Sequence, residues 1–266
     1  MHCAVASRAA MRDSVVAARL EAQGLDWIVP EWPAPPNVHA VSSTRNGGTA
    51  GEIDFSPRQP HIKVARSVLR RVVPADPLWL HQAHGSTVVS ADTSYGHVPQ
   101  ADAAFARNAG MACVVLTADC LPVLFADRQG SVVAAAHAGW RGLAASVLEA
   151  AVKAMSVAPS SVLAWLGPAI GPDAFEVGAD VYAAFCDADP DARTCFEAHR
   201  RGKWCADLYA LARRRLAHAG VTSIYGGGRC TLTERDNFYS YRRGGADASR
   251  RMATLIWRED AASPYV

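Results

Sequence analysis

The 266-residue sequence has no Cys-x-x-Cys pair, no apolar run long enough to cross a bilayer, no internal repeat and no low-complexity linker. Each absence excludes something. Seven cysteines are scattered irregularly and their number is odd, so no disulfide framework is encoded. A reducing, cytoplasmic setting is expected. A membrane-spanning helix needs about 20 apolar residues in a row, and none is present. The formal net charge is only +2, which gives no reason to expect nucleic acid or an anionic membrane as a partner. Gly226-Gly227-Gly228 lacks the spacing and the Lys-Ser/Thr of a phosphate-binding loop and reads as a turn. Nine histidines include no His-x-His pair, which argues against a multicopper centre.

What remains is ordinary for a globular protein. Half the residues are hydrophobic and a fifth are charged, enough for one large domain with a sizeable core. Residues 1–35 read as an N-terminal extension and connector. Arg8, Arg12 and Arg19 lie among alanines and valines, and Met11 is an alternative start. Asp13 or Ser14 can cap a loosely attached helix running to Gln23, with Gly24 as its stop. Pro30 to Pro36 is a proline-rich connector. Residues 36–266 read as a single domain.

Within it, Val38 to Ser43 is expected as a strand and His61 to Val73 as a helix that ends at Pro74. Leu78 to Leu80 and Thr87 to Ser90 read as short strands around His84. Met111 to Thr117 is almost wholly apolar and reads as a strand buried on both faces. Val123 to Ala126 and Ser131 to Ala136 read as two more, joined by the turn Asp127-Arg128-Gln129-Gly130. A meander of these three strands would bring Cys120 and His137 to one rim, with Pro122 stopping the ladder and Gly139 letting the chain bend away. Arg141 to Met155 is expected as one helix, as are Val181 to Cys186 and Asp207 to His218, with Arg213 to Arg215 as a solvated face. Val162 to Leu166, Ser223 to Tyr225 and Met252 to Trp257 read as strands. This mixture indicates one α+β domain rather than a doubly wound parallel fold.

Three short pieces each carry a metal-competent side chain: Gln82-Ala83-His84-Gly85, Ala118-Asp119-Cys120-Leu121-Pro122 and Ala136-His137-Ala138-Gly139-Trp140-Arg141-Gly142. A structural zinc site takes four protein ligands; a catalytic one keeps three and leaves a position for water or substrate. Taken singly, each residue reads as structural, since free cysteine is among the most buried residue types. His81 competes with His84. Asp102 and Asp119 can either move protons or hold backbone amides at turns. Trp140 reads as core or as a base-stacking platform. Arginine suits an anionic ligand because its fork presents several donors. Arg45, before two glycines, ranks first; Arg141, in the first turn of a helix, follows unless it pairs with a carboxylate. Arg242 and Arg243 are further candidates.

These segments resemble the YfiH-type, or laccase-domain, family, bacterial proteins variously named polyphenol oxidase, purine nucleoside phosphorylase and peptidoglycan editing factor. The match includes Thr44-Arg45-Asn46-Gly47-Gly48, Leu80-His81-Gln82-Ala83-His84-Gly85, Gln100-Ala101-Asp102-Ala103, Thr117-Ala118-Asp119-Cys120-Leu121-Pro122 and His137-Ala138-Gly139-Trp140-Arg141-Gly142. It continues through Gly167-Pro168-Ala169-Ile170-Gly171-Pro172, Glu176-Val177-Gly178, Asp207-Leu208, Cys230-Thr231 and Phe238-Tyr239-Ser240-Tyr241-Arg242-Arg243, and covers about residues 36 to 258. The resemblance implies zinc held by His84, Cys120 and His137, with copper as the alternative metal. It implies a four-layer fold, two mixed sheets packed between helices. The implied activity is phosphorolysis of adenosine, inosine, guanosine and methylthioadenosine, with phosphate as co-substrate and adenosine deamination in the same pocket. His84, Cys120, His137, Asp119 and Asp102 are then the catalytic candidates; Arg45, Arg141, Gln82 and Arg242 are the substrate and phosphate candidates. The expected partners are small molecules, with no nucleic acid or membrane, and the chain is expected as a monomer or weak homo-oligomer. Alternatives are a Cys120/His137 cysteine hydrolase acting on peptidoglycan precursors, a copper polyphenol oxidase, and a binding protein whose metal is closed by a fourth ligand. The chain departs from the family pattern at Ala50 to Lys63, which is shorter, and at Ser249-Arg250-Arg251. Both departures are expected near the pocket rim, so the resemblance leaves substrate preference open.

Overall fold

Along the strand Met111–Thr117, Ala112 and Val114 point one way and Cys113 and Val115 the other, and all four are buried. A strand with two apolar faces must lie between two layers. The computed structural model, which describes residues 13–93 and 96–260, shows those layers. The expectations for Arg8, Met11 and Arg12 fall outside the described residues.

The strands in chain order are β1 Val38–Ser42, β2 Asp76–Leu78, β3 Val88–Ser90, β4 Ala103–Ala106, β5 Met111–Thr117, β6 Leu121–Asp127, β7 Val133–Ala138, β8 Val162–Leu166, β9 Glu176–Val177, β10 Phe196–Arg200, β11 Lys203–Ala206, β12 Ser223–Gly226 and β13 Met252–Arg258. The α-helices are α1 Ser14–Ala22, α2 Ile62–Val72, α3 Trp140–Ala144, α4 Val147–Ala154, α5 Ala179–Cys186 and α6 Leu208–His218. One sheet has the order β1-β13-β5-β2 and the other β12-β8-β6-β7-β4-β3; a small third sheet pairs β10, β11 and β9. Both large sheets are mixed: β2 runs parallel to β5, and β12 to β8 and β3 to β4, among otherwise antiparallel pairs.

Three apolar layers follow from the strand alternation. Val41, Val114, Leu255 and Trp257 pack under Val16 and Leu20 of α1 and Val68 and Leu69 of α2. Val115 and Ile256 meet Leu124, Ala135, Leu163 and Trp165 between the sheets. Val123, Phe125 and Ala134 pack under Leu148 and Ala151 of α4 and Leu211 and Leu216 of α6. The result is the expected α+β arrangement of helix, sheet, sheet and helix. Among the described residues no helix is long and apolar enough to cross a membrane.

Several local expectations are corrected. The three central strands do not form a meander: β5 joins the four-stranded sheet, whereas β6 and β7 form a hairpin in the six-stranded one. The chain crosses between sheets at Ala118–Cys120. A doubly apolar strand is equally well buried in either sheet, so its pattern does not choose one. The helix expected over Arg141 to Met155 is broken at Ser146, whose φ of 67° is left-handed and whose hydroxyl accepts from Arg215. The first helix is not loosely attached, since Val16 and Leu20 are buried, with Trp27 just beyond. Its cap is Asp13, which accepts from the amides of Val15 and Val16. Arg213 to Arg215 is not merely solvated: Arg213 donates to the carbonyls of Ile224 and Gly226, Arg214 pairs with Asp189 and Arg215 with Glu149.

Candidate metal centre

Cys120 and His137 meet because of the β6–β7 hairpin alone. Its register pairs Leu121 with Ala138 and Pro122 with His137, so Cys120 lies opposite Gly139 at the end of the sheet. His137 shares a face with Val133 and Ala135, directed toward the other sheet. At Gly139 a Cβ would sit 2.8 Å from Cys120 Sγ and 3.3 Å from a ring carbon of His84, so only glycine leaves the ligands their space.

His84 comes from the loop between β2 and β3 and has a left-handed backbone, φ 61°. Three consecutive amides hold it there: Ala83, His84 and Gly85 donate to the Asp102 carboxylate at 3.2, 2.8 and 2.7 Å. The same carboxylate lies 2.9 Å from His137 Nδ1. Burial alone would raise its pKa; the bonds from His137, Gly85 and His84 outweigh that and hold it below the usual range. An ionised carboxylate only accepts, so Nδ1 of His137 carries the proton and Nε2 is left for a metal. Gln82 fastens the loop to β5, donating to Leu116 O at 2.8 Å and accepting from Leu116 N at 2.7 Å. The outcome is one donor atom each from His84, Cys120 and His137, all within 4.8 Å of one another.

The cluster is electrostatically primed. Burial alone would push the Cys120 thiol up, but the His137 charge and hydrogen bonds from His137 and His84 pull it down to about 6. Burial alone would lower His137; the Cys120 thiolate and Asp102 push it up to about 9. Two imidazoles and a thiolate suit zinc, and the soft sulfur also suits copper(I).

The three candidate ligands line a cavity of about 1170 Å³. Asp119, Gln82, Arg141 and Arg242 line it as well; His81 also does, but stands outside the ligand cluster. Asp119 is itself left-handed, φ 84°, and its carboxylate accepts from Thr231 Oγ1 at 2.5 Å, Ser240 Oγ at 3.0 Å and Arg242 N at 2.7 Å. That ties the 238–242 segment beside Cys120. The Arg242 guanidinium donates to Glu176 O at 3.1 Å. Arg141 lies over the Trp140 ring at 4.3 Å, and no carboxylate pairs with it among the described residues. Asp102 does not line the cavity but sits behind the ligands. Arg45 is placed elsewhere: it binds Glu52 and the carbonyl of Arg235 and lines a separate cavity of about 470 Å³, with Arg243. The sequence reading missed Arg58 and Arg66 on the cavity wall, although Arg58 falls within one of the two departing segments and Arg251, also on the wall, within the other.

Curated relatives share this chain nearly end to end. A Pseudomonas aeruginosa protein named purine nucleoside phosphorylase is 47% identical over 88% of this chain and 99% of its own. The Escherichia coli protein named purine nucleoside phosphorylase YfiH is 46% identical, covering 86% and 98%. The crystal structure of a Neisseria meningitidis DUF152 protein superposes with a TM-score of 0.84 at 46% identity, over 88% of this chain and 99% of that one. The Bacillus licheniformis protein titled YfiH, at 22% identity, shares the fold with a TM-score of 0.80 over 90% and 98%. A family model described as multi-copper polyphenol oxidoreductase laccase matches residues 40–259, and the chain belongs to that family.

Proposed function

We propose that this chain is a zinc-dependent purine nucleoside phosphorylase, acting on adenosine, inosine, guanosine and methylthioadenosine, with adenosine deamination in the same cavity. The observation that carries the reading is a three-ligand cluster opening into a cavity that also presents Arg141 and Arg242. The names of relatives at 46–47% identity support it. The cytoplasm is its expected compartment; the six described cysteines are all free.

A zinc ion held by His84, Cys120 and His137 would supply Lewis acidity beside the purine. The chain's own residues do the rest. Arg141, with no carboxylate partner among the described residues, and Arg242, anchored through Asp119, present donors to inorganic phosphate. Phosphorolysis joins a phosphate oxygen to C1′ as the bond from C1′ to the base nitrogen breaks, and the departing base takes up a proton. Holding phosphate at a fixed place converts this into a reaction between positioned groups. Asp102 acts through His84 and His137, and Asp119 through the 238–242 segment; both are positioning residues, because their oxygens are already occupied by the chain.

The test is release of hypoxanthine from inosine by zinc-loaded protein, followed by chromatography with and without phosphate. Base and ribose 1-phosphate should appear together and only with phosphate. Adenosine without phosphate should give inosine and ammonia. No phosphate-dependent release over the four nucleosides would overturn the phosphorylase reading.

One observation favours a second reading. Cys120, His137 and Asp102 form a thiol–imidazole–carboxylate series with the thiol pulled down to about 6, the pattern of a cysteine hydrolase. Such an enzyme would cleave an amide, as in a peptidoglycan precursor. Stoichiometric metal with Cys120 among its ligands would remove the free nucleophile and this reading with it.

A further inference from the structure

The cavity wall is cationic well beyond what one phosphate requires. Arg58, Arg66, Arg141, Arg242 and Arg251 line it, against the single carboxylate of Asp119, which is buried and already engaged. The arginines come from different layers. Arg141 opens α3, which follows β7 of the six-stranded sheet. Arg66 lies on α2, outside the four-stranded sheet; Arg58 lies in the loop before α2, and Arg251 immediately precedes β13 of that sheet. Arg58 and Arg66 are exposed and have no carboxylate partner among the described residues; Arg66 lies over the Trp79 ring at 4.7 Å.

This wall is built rather than incidental. Phe55 N donates to Arg251 O at 3.0 Å, and Arg251 N donates to Asp54 Oδ1 at 2.9 Å. Ser56 N donates to the same oxygen at 2.8 Å, and Gln59 Nε2 to Asp54 O at 2.7 Å. The loop carrying Arg58 is thus stapled to the start of β13, so its backbone needs little ordering when a ligand arrives and only the exposed arginine side chains remain to be fixed. The cavity, at about 1170 Å³, also exceeds the roughly 300–1,000 Å³ usual for small-molecule pockets.

We infer that Arg58 and Arg66 form a second anion subsite that takes a phosphate group carried by the substrate itself. The substrate class then includes purine nucleoside 5′-phosphates. Inorganic phosphate would occupy the Arg141 and Arg242 side, and phosphorolysis would yield the free purine and ribose 1,5-bisphosphate with no other reactant. This rests on the purine-site reading above for the base, but not on phosphorolysis for the anion.

The experiment is calorimetric binding of inosine and inosine 5′-phosphate to the zinc-loaded full chain, without inorganic phosphate and at fixed ionic strength. The 5′-phosphate should bind at least tenfold more tightly. That preference should shrink to within twofold in Arg58→Ala/Arg66→Ala and persist in Arg141→Ala. Arg58→Gln alone, on an exposed loop, gives an intermediate preference and guards against misfolding of the double variant. Equal affinities in the wild type would overturn the subsite. So would a preference lost in Arg141→Ala but kept in the double variant, since the 5′-phosphate would then occupy the co-substrate side. An intact preference without phosphate-dependent inosine cleavage would instead remove the phosphorolysis reading and leave the subsite standing.

Discussion

Asp102 organises the site more than any ligand does. One buried carboxylate receives three amides of the His84 loop and the His137 ring, so two ligands from different elements share one anchor. Asp102→Asn keeps the shape but turns one acceptor into a donor. Metal affinity should fall about 10–100-fold, as for other groups that orient ligands; chelator competition measures it, and a change under twofold would contradict the role. Glu234 shows the same logic away from the metal. Burial alone would raise its carboxyl, but bonds from Arg229 and from Cys230 N hold it below the usual range. A depressed native value means a contribution present above the unfolded value of about 4.3 and lost as pH falls through the native one. Urea midpoints should therefore fall more steeply below pH 5 in the wild type than in Glu234→Gln. Asp102 was legible as a motif member, but its reach to both ligands was not, because Ala83 and His137 are far apart in sequence.

At the scale of elements, the β6–β7 hairpin positions two ligands and its exit glycine protects them. Gly139 has φ −66°, open to any residue, so its constraint is purely the space beside Cys120 Sγ. Gly139→Ala should retain the fold, as judged by circular dichroism, and lose stoichiometric metal by elemental analysis. Helix ends are a second case. Ser156 follows the cap of α4 in a left-handed conformation, φ 50°, with its amide bonded to Lys153 O. Glycine is favoured at that position, and a left-handed non-glycine residue costs roughly 1–2 kcal/mol. Ser156→Gly should stabilise the protein by about 0.5–1 kcal/mol in urea denaturation, once the extra entropy of glycine in the unfolded chain is set against it. The break at Ser146 could not be read from sequence, since the run is rich in Ala, Leu and Val; its serine is held by Arg215 of α6, 69 positions away.

For the whole molecule, the layer between the sheets is what joins them. Leu124 is fully buried there against residues of both sheets. Leu124→Ala should cost about 2–5 kcal/mol, read as a lower denaturant midpoint, because a cavity remains between rigid sheets. Most strand and helix positions and the α+β class were legible from periodicity and turn residues, which are local signals; the candidate ligand trio came from side-chain chemistry together with the family resemblance. Short or polar strands such as β10 and β11 were not legible, because their exposed residues carry no apolar alternation. By itself the sequence determined where most of the apolar strands lie and which side chains can bind a metal, since backbone preference and ligand chemistry belong to the residues. Only the tertiary structure decided that β5 crosses to the other sheet, that Arg45 lies outside the main cavity and that Arg58 and Arg66 face into it. Those outcomes depend on which layers stack, and stacking is set by the summed burial of the whole chain rather than by any one segment.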